Sequence, residues 1–160
     1  MTLDNLNNQF KIYFSGESPT VYHAPDNNSN FNTCIRLGTS KTNCQNKIQF
    51  VATINDNKII GCGSAALVPT CYVFNDKGEV LSEFPASGLI SDNAVDQPLT
   101  KVLRKSKNFE KNGELNILSV AYDRASVAAI HLVQIKTDQT TGNMHSKTIK
   151  THKFTSNGKL

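Results

Sequence analysis

The sequence predicts a mainly β fold: an antiparallel β-sandwich or partly closed barrel of about eight strands with one short amphipathic helix. Three observations carry this expectation. Lys47 to Phe74 is the longest stretch with few charges and many β-branched or aromatic residues, so it is the expected core. Asn, Thr, Ser and Gln make up roughly a third of the chain while only 19% of residues are charged, the balance of a turn-rich β protein. Short apolar runs recur between clusters of Gly, Pro, Asn and Asp. With 160 residues and 38% hydrophobic content, residues 1-160 are expected to form one domain that buries about 70% of its unfolded surface.

In chain order, Gln9 to Phe14 alternates as a half-buried strand does. Gly16 to Asn32, with two prolines and the run Asp26 to Asn30, reads as a long surface loop, because its side chains compete with the backbone for hydrogen bonds. Cys34 to Leu37 reads as a short strand and Gly38 to Asn46 as a polar turn. Lys47 to Ile54 and Lys58 to Leu67 form a hairpin through Asn55-Asp56-Asn57, and Cys71 to Phe74 leads into a turn, Asn75 to Gly78, with glycine where positive φ is needed. Glu79 to Phe84 alternates and pairs with Cys71 to Phe74, and Pro85 to Gln97 is a loop.

The helix is expected after that loop. Asp96 or Gln97 caps it, Pro98 suits its first turn, and Leu99, Val102, Leu103 and Ser106 follow at helical spacing, with Lys101, Arg104, Lys105 and Lys107 on the outer face. Leu115 to Tyr122, Ser126 to Ile135 and Lys147 to Phe154 then read as a three-strand meander. The run Ala128 to Val133 is apolar on both faces and marks a central strand, although its alanines also suit a helix. The last strand alternates badly and carries Lys147, Lys150, His152 and Lys153, as a charge-protected edge does.

Four cysteines, Cys34, Cys44, Cys62 and Cys71, leave three disulfide connectivities open. Both local pairs can come close enough to bond, but Cys62 and Cys71 lie in apolar strands, where buried reduced thiols are the expected state. No two cysteines have the close spacing of a structural zinc site, and the Asp26 to Asn30 run lacks the closing Glu of a calcium loop. No cofactor, metal ligand or catalytic residue is assigned. The N-terminus has neither a basic leader nor an apolar run, so no signal peptide is expected, and no segment approaches the roughly 20 apolar residues of a membrane helix. A cytoplasmic or virion-associated setting is the corresponding expectation.

Gly61-Cys62-Gly63-Ser64 resembles the nucleophile turn of chymotrypsin-like cysteine proteases, which implies an exposed thiolate. It departs from them at Ile60, in having His23 as its sole upstream histidine, and in the short chain before Cys62. Phe50 to Ser64 and Leu118-Ser119-Val120 are similar to parts of the GNAT acetyltransferases, over about a tenth of the chain. The resemblance implies a pyrophosphate turn at a helix N-terminus, yet Tyr122 to Val127 contains no glycine.

Charge is divided unevenly along the chain. Residues 1–100 carry 6 Lys+Arg against 9 Asp+Glu (−3), and residues 101–160 carry 11 against 4 (+7), which sum to the whole-chain +4. The basic end, Lys101, Arg104, Lys105, Lys107, Lys147, Lys150 and Lys153, is the candidate partner-binding surface. These readings favour a non-catalytic binding or assembly protein, such as a structural component of a virus, phage or secretion machine, with a protein partner or self-assembly. A nucleic-acid-binding domain and a small enzyme with an unrecognised site are the alternatives.

Overall fold

The structure is a computed structural model, and it describes residues 3–6, 9–12, 20–23, 28–41, 44–46, 48–55, 58–66, 68–86, 89–90, 100–105, 114–122, 128–138 and 140–153. Among these the fold is mainly β, with eleven strands in three antiparallel sheets and one short helix. The first sheet comprises β1 (Leu3–Leu6), β2 (Gln9–Ile12) and β3 (Thr20–His23). Helix α1 (Asn28–Arg36) follows it. The second sheet comprises β4 (Ile48–Asn55), β5 (Lys58–Gly63), β6 (Thr70–Asn75) and β7 (Val80–Pro85). The third comprises β8 (Thr100–Lys105), β9 (Glu114–Tyr122), β10 (Ala128–Thr137) and β11 (Met144–Lys153). In every sheet the spatial order follows the chain, and none closes into a barrel among the described residues.

Strands β4 to β6 of the second sheet are buried on both faces, while edge strand β7 is largely exposed. Phe50, Ala52, Ile54, Ile60, Cys62, Cys71, Val73 and Phe84 on one face form a single apolar cluster with Ile117, Val133, Ile135 and Met144 of the third sheet. Ile59, Tyr72 and Phe74 on the other face pack with Tyr22 of β3, whose ring meets Phe74 edge-on at 5.4 Å between centroids. Ile48 belongs to the Tyr22 side although Phe50, two residues on, belongs to the opposite side. A bulge explains this: the register shifts between Ile48 and Phe50, and one extra residue reverses which face the following side chains meet. The three sheets therefore stack in chain order, and the strands of the middle one read as almost continuous apolar runs.

Local sequence sets the turns. Asn75 Oδ1 accepts hydrogen bonds from the backbone N–H groups of Lys77 (3.0 Å) and Glu79 (2.8 Å), and Gly78 takes φ +83°, as expected for this turn. A Cβ on Gly78 would lie 3.0 Å from the Val21 carbonyl oxygen, so this glycine also lets the β6–β7 hairpin approach β3.

Three expectations are corrected. The helix lies at Asn28–Arg36, inside what reads as loop and strand, and not at Pro98 to Ser106. Its polar composition gives it little intrinsic helicity. Its end is fixed by Gly38 at φ +82°, with Gly38 N–H donating to Ile35 O (3.0 Å) and Thr39 N–H to Cys34 O (3.4 Å). Phe31 and Cys34 anchor it by packing with Cys44 and Ala66. Second, Thr100–Lys105 is a strand, because pairing with β9 prevails over a weak local helix signal in so short a segment; residues 96–99 and 106–107 lie outside the described residues. Third, Cys62 and Cys71 are buried but not reduced. They are opposed across β5 and β6 and bonded to each other, while Cys34 bonds Cys44 with Cα atoms 5.7 Å apart.

We predict that Gly78→Ala lowers stability by about 1–2 kcal/mol from the left-handed backbone alone, plus the cost of the Val21 contact. Gly78→Asn should recover part of the backbone cost and none of the contact cost. Urea midpoints of the three proteins check this; an unchanged midpoint for Gly78→Ala refutes it.

Candidate functional site

The basic residues of the C-terminal third gather on one sheet, but not as one strip. β8 and β11 are the opposite edges of the third sheet, so Lys101, Arg104 and Lys105 lie on one edge and Lys147, Lys150 and Lys153 on the other. Lys107 lies outside the described residues. Register then sorts them by face. Ile117, Val133 and Ile135 meet the second sheet, so rows alternating with theirs face away from it. The pair Gln134–Lys147 belongs to one of these outward rows, and Leu132–Lys150 to the next.

The chemistry of β11 depends on a second bulge. Leu132 pairs with Lys150 and Val133 with Thr148, leaving Ile149 unpaired and half exposed. In a regular strand, Lys147 and Lys150, three residues apart, would face opposite sides. The extra residue brings both to the outward face, along with His145 and His152. Lys153 opposes Ala129, in a row that faces the second sheet. From His145 to Lys153 the strand is exposed except for Ser146, whose hydroxyl donates to the Pro85 carbonyl at 2.6 Å and ties β11 to β7. Beside the lysines the outward rows include Ile130 and Leu132, both half-buried, so the face combines a cationic edge with an apolar centre.

The β10–β11 turn holds this edge in place. Asp138 Oδ1 accepts from the N–H groups of Thr140 (2.8 Å) and Thr141 (3.0 Å), and these bonds hold its carboxyl below the ordinary carboxylate range.

A buried polar cluster lies elsewhere, where β5 leaves its sheet. Asn46, only 6% exposed, accepts the Ala65 N–H at its Oδ1 (3.0 Å) and donates through Nδ2 to the Tyr72 hydroxyl (3.2 Å). Burial raises the Tyr72 pKa, and the Asn46 bond opposes that shift. Ala65 and Ala66 both take positive φ, 40° and 57°, a conformation unfavourable for alanine that Asn46 and the neighbouring packing hold. Ser64 is fully buried and donates to Gln45 O at 3.1 Å.

These facts remove the two enzyme resemblances. The Cys62 sulfur is bonded to Cys71 and buried, so it offers no thiolate. Among the described residues, the next element after β9 is the antiparallel strand β10, which does not fit the helix whose N-terminus would receive a pyrophosphate. Among the described residues, no three His, Cys, Asp or Glu side chains are grouped to hold a metal ion, and no helix is long and apolar enough to cross a membrane.

No protein-family model and no curated protein sequence matches the chain. Solved structures do. Drosophila Plexin A in complex with Semaphorin 1b matches over 91% of this chain and 34% of that one, with TM-score 0.59 and 12% identity. Drosophila Semaphorin 2a matches over 89% and 27%, with TM-score 0.63 and 13% identity. Extracellular domains 1–2 of Drosophila Semaphorin 1b match over 91% and 36%, with TM-score 0.55 and 10% identity. The chain thus spans about a third of the length of these proteins, and at such identities the likeness is one of fold.

Two predictions follow from the polar groups. Asn46→Ala leaves the buried Ala65 N–H and Tyr72 hydroxyl without this partner and should cost about 1–3 kcal/mol in denaturant unfolding. Asp138 has a depressed folded pKa, so its contribution is complete above its unfolded pKa and is lost as pH falls through the folded one. Protection of the Thr140 and Thr141 amides, taken as exchange relative to the intrinsic rate at each pH, should fall over that acid window in the native protein, and Asp138→Asn should abolish this pH dependence of the protection.

Proposed function

We propose that this chain is a non-catalytic protein-binding domain of an oxidising compartment, contacting an acidic protein surface through the outward face of its third sheet. The observation that carries the proposal is the register of β11, whose bulge brings Lys147 and Lys150 to one exposed face beside the half-buried Ile130 and Leu132. Both disulfides support an oxidising setting over the cytoplasm, since closed disulfides persist there. The fold likeness to Plexin A in complex with Semaphorin 1b and to the extracellular domains 1–2 of Semaphorin 1b agrees with this reading. A second copy is one source of the acidic surface: edge strand β7 and the turn before it expose Glu79 and Glu83 beside Val80 and Leu81. The nucleic-acid alternative draws on net charge alone.

Retention on immobilised polyglutamate across a salt gradient tests the face. Lys147→Glu with Lys150→Glu should elute at clearly lower salt than the parent, while Lys153→Glu, on the other face, should shift elution much less. Equal shifts per charge removed refute a face-specific contact. Stronger retention on DNA than on polyglutamate, with a steep salt slope, favours the nucleic-acid reading. Light scattering at low ionic strength detects a second copy as partner.

A further inference from the structure

We propose that two copies of this chain close into one ring of sheets, the outward face of each third sheet packing on the outward face of the other copy's first sheet.

The topology carries the inference. Each described sheet is an up-and-down meander, and each is laid on the one before it in the same orientation. The last strands show this: the Val21 carbonyl of β3 lies against Gly78 in the turn that leads into β7, and β7 in turn meets β11, where the Ser146 hydroxyl donates to Pro85 O at 2.6 Å. Exposure runs the same way across the sheets. The described side chains of β4, the first strand of the second sheet, are buried or half-buried from Ile48 to Ile54, whereas the last strands β7 and β11 are largely exposed. First strands that converge and last strands that splay belong to sheets set radially about an axis, as the blades of a β-propeller are, and not to a flat stack.

Radial repetition leaves an uncovered face at each end until it closes, and closed propellers have typically about 4–8 blades. The described residues of one chain form three sheets, too few to close alone, while three copies would exceed that range. Two copies fall within it. Both end faces offer apolar contacts. On the third sheet, Ile130 and Leu132 face away from the second sheet and are half-buried. On the first, Tyr22 turns inward to Phe74, so its neighbour Val21 turns outward, and it is 38% exposed. Third sheet to first is the same step the chain already takes from sheet to sheet, and two such contacts related by a twofold axis cover both end faces of both copies. Lys147 and Lys150 stand on the last strand, at the rim of such a ring, so the inference goes beyond the acidic-partner reading and leaves its lysines accessible.

Light scattering on the unaltered chain, over a range of concentrations and at low and high salt, reads the closure. The expected result is the mass of two chains, retained at high salt because the contact is apolar. Leu132→Asp and Val21→Glu should each reduce the particle to one chain. An equimolar mixture of these two variants should regain the two-chain mass at raised concentration, because one third-to-first contact between them is intact. Ile130→Asp replaces Leu132→Asp if circular dichroism shows the latter unfolded. A parent chain that stays monomeric at high concentration overturns the inference, as does a particle that grows beyond two chains. A dimer that Val21→Glu leaves intact, or that mixing does not restore, is joined through another surface and overturns it as well. Polyglutamate retention keeps the two readings apart: a monomer whose retention still needs Lys147 and Lys150 overturns the ring alone, and a two-chain ring whose retention ignores them overturns the acidic-partner reading alone.

Discussion

A β-sheet that is apolar on both faces has no stable position at the surface of a protein, and β4 to β6 form such a sheet, with β7 as its more exposed edge. Among the described residues, strands before it and after it in the chain supply cover. Tyr22 brings the first sheet onto one face, and Ile117, Val133, Ile135 and Met144 bring the third onto the other. Burying large aromatic and aliphatic side chains on two faces is worth on the order of 1.5–3 kcal/mol for each, which makes this sheet the dominant source of apolar stabilisation in the described structure. Its three register shifts, at Ile48–Phe50, Thr53–Asn55 and Val73–Phe74, adjust which residues meet which neighbour without breaking the ladder.

Within the sheet, Phe50, Cys62, Cys71 and Phe84 form one cross-strand row, with the disulfide between two aromatic rings. Each disulfide closes a short loop and in the chain-entropy account contributes about 3 kcal/mol by restricting the unfolded chain. The Ser64 to Ala66 turn connects the two. It leaves β5 just beyond Cys62, hangs from Asn46, and presents Ala66 to the Cys34–Cys44 pair. A backbone that alanine disfavours is thus held by one buried side chain between two covalent links.

How much of this could be read from residues alone depended on where the physical cause lay. β4, β5 and β6 were legible because burial on two faces leaves a run nearly free of charge, and the Asn75–Gly78 turn because Asn and Gly act through their own backbone. Helix α1 was not, since Asn28 to Arg36 is rich in residues that favour loops and is held by Gly38, Phe31 and a disulfide partner ten residues away. The state of Cys62 and Cys71 needed the register, which opposes them directly. The basic surface was legible as charge but not as geometry. The irregular alternation of the last strand is the trace of a bulge at Ile149, and only the pairing with Leu132 and Val133 reveals that Lys147 and Lys150 share a face while Lys153 does not.

The order of strands in each sheet also governs how the chain reaches its final state. Every strand pairs with its immediate predecessor or successor, so each hairpin closes a short loop, and loop closure costs little entropy when the loop is short. A chain emerging from the ribosome can therefore complete each meander before the next has been made. The middle sheet is the exception in exposure, because one of its apolar faces stays wet until β9 to β11 arrive. During that interval the nascent chain displays a wide sticky surface, and synthesis of β9 to β11 is the period in which this sheet depends most on chaperones to avoid aggregation.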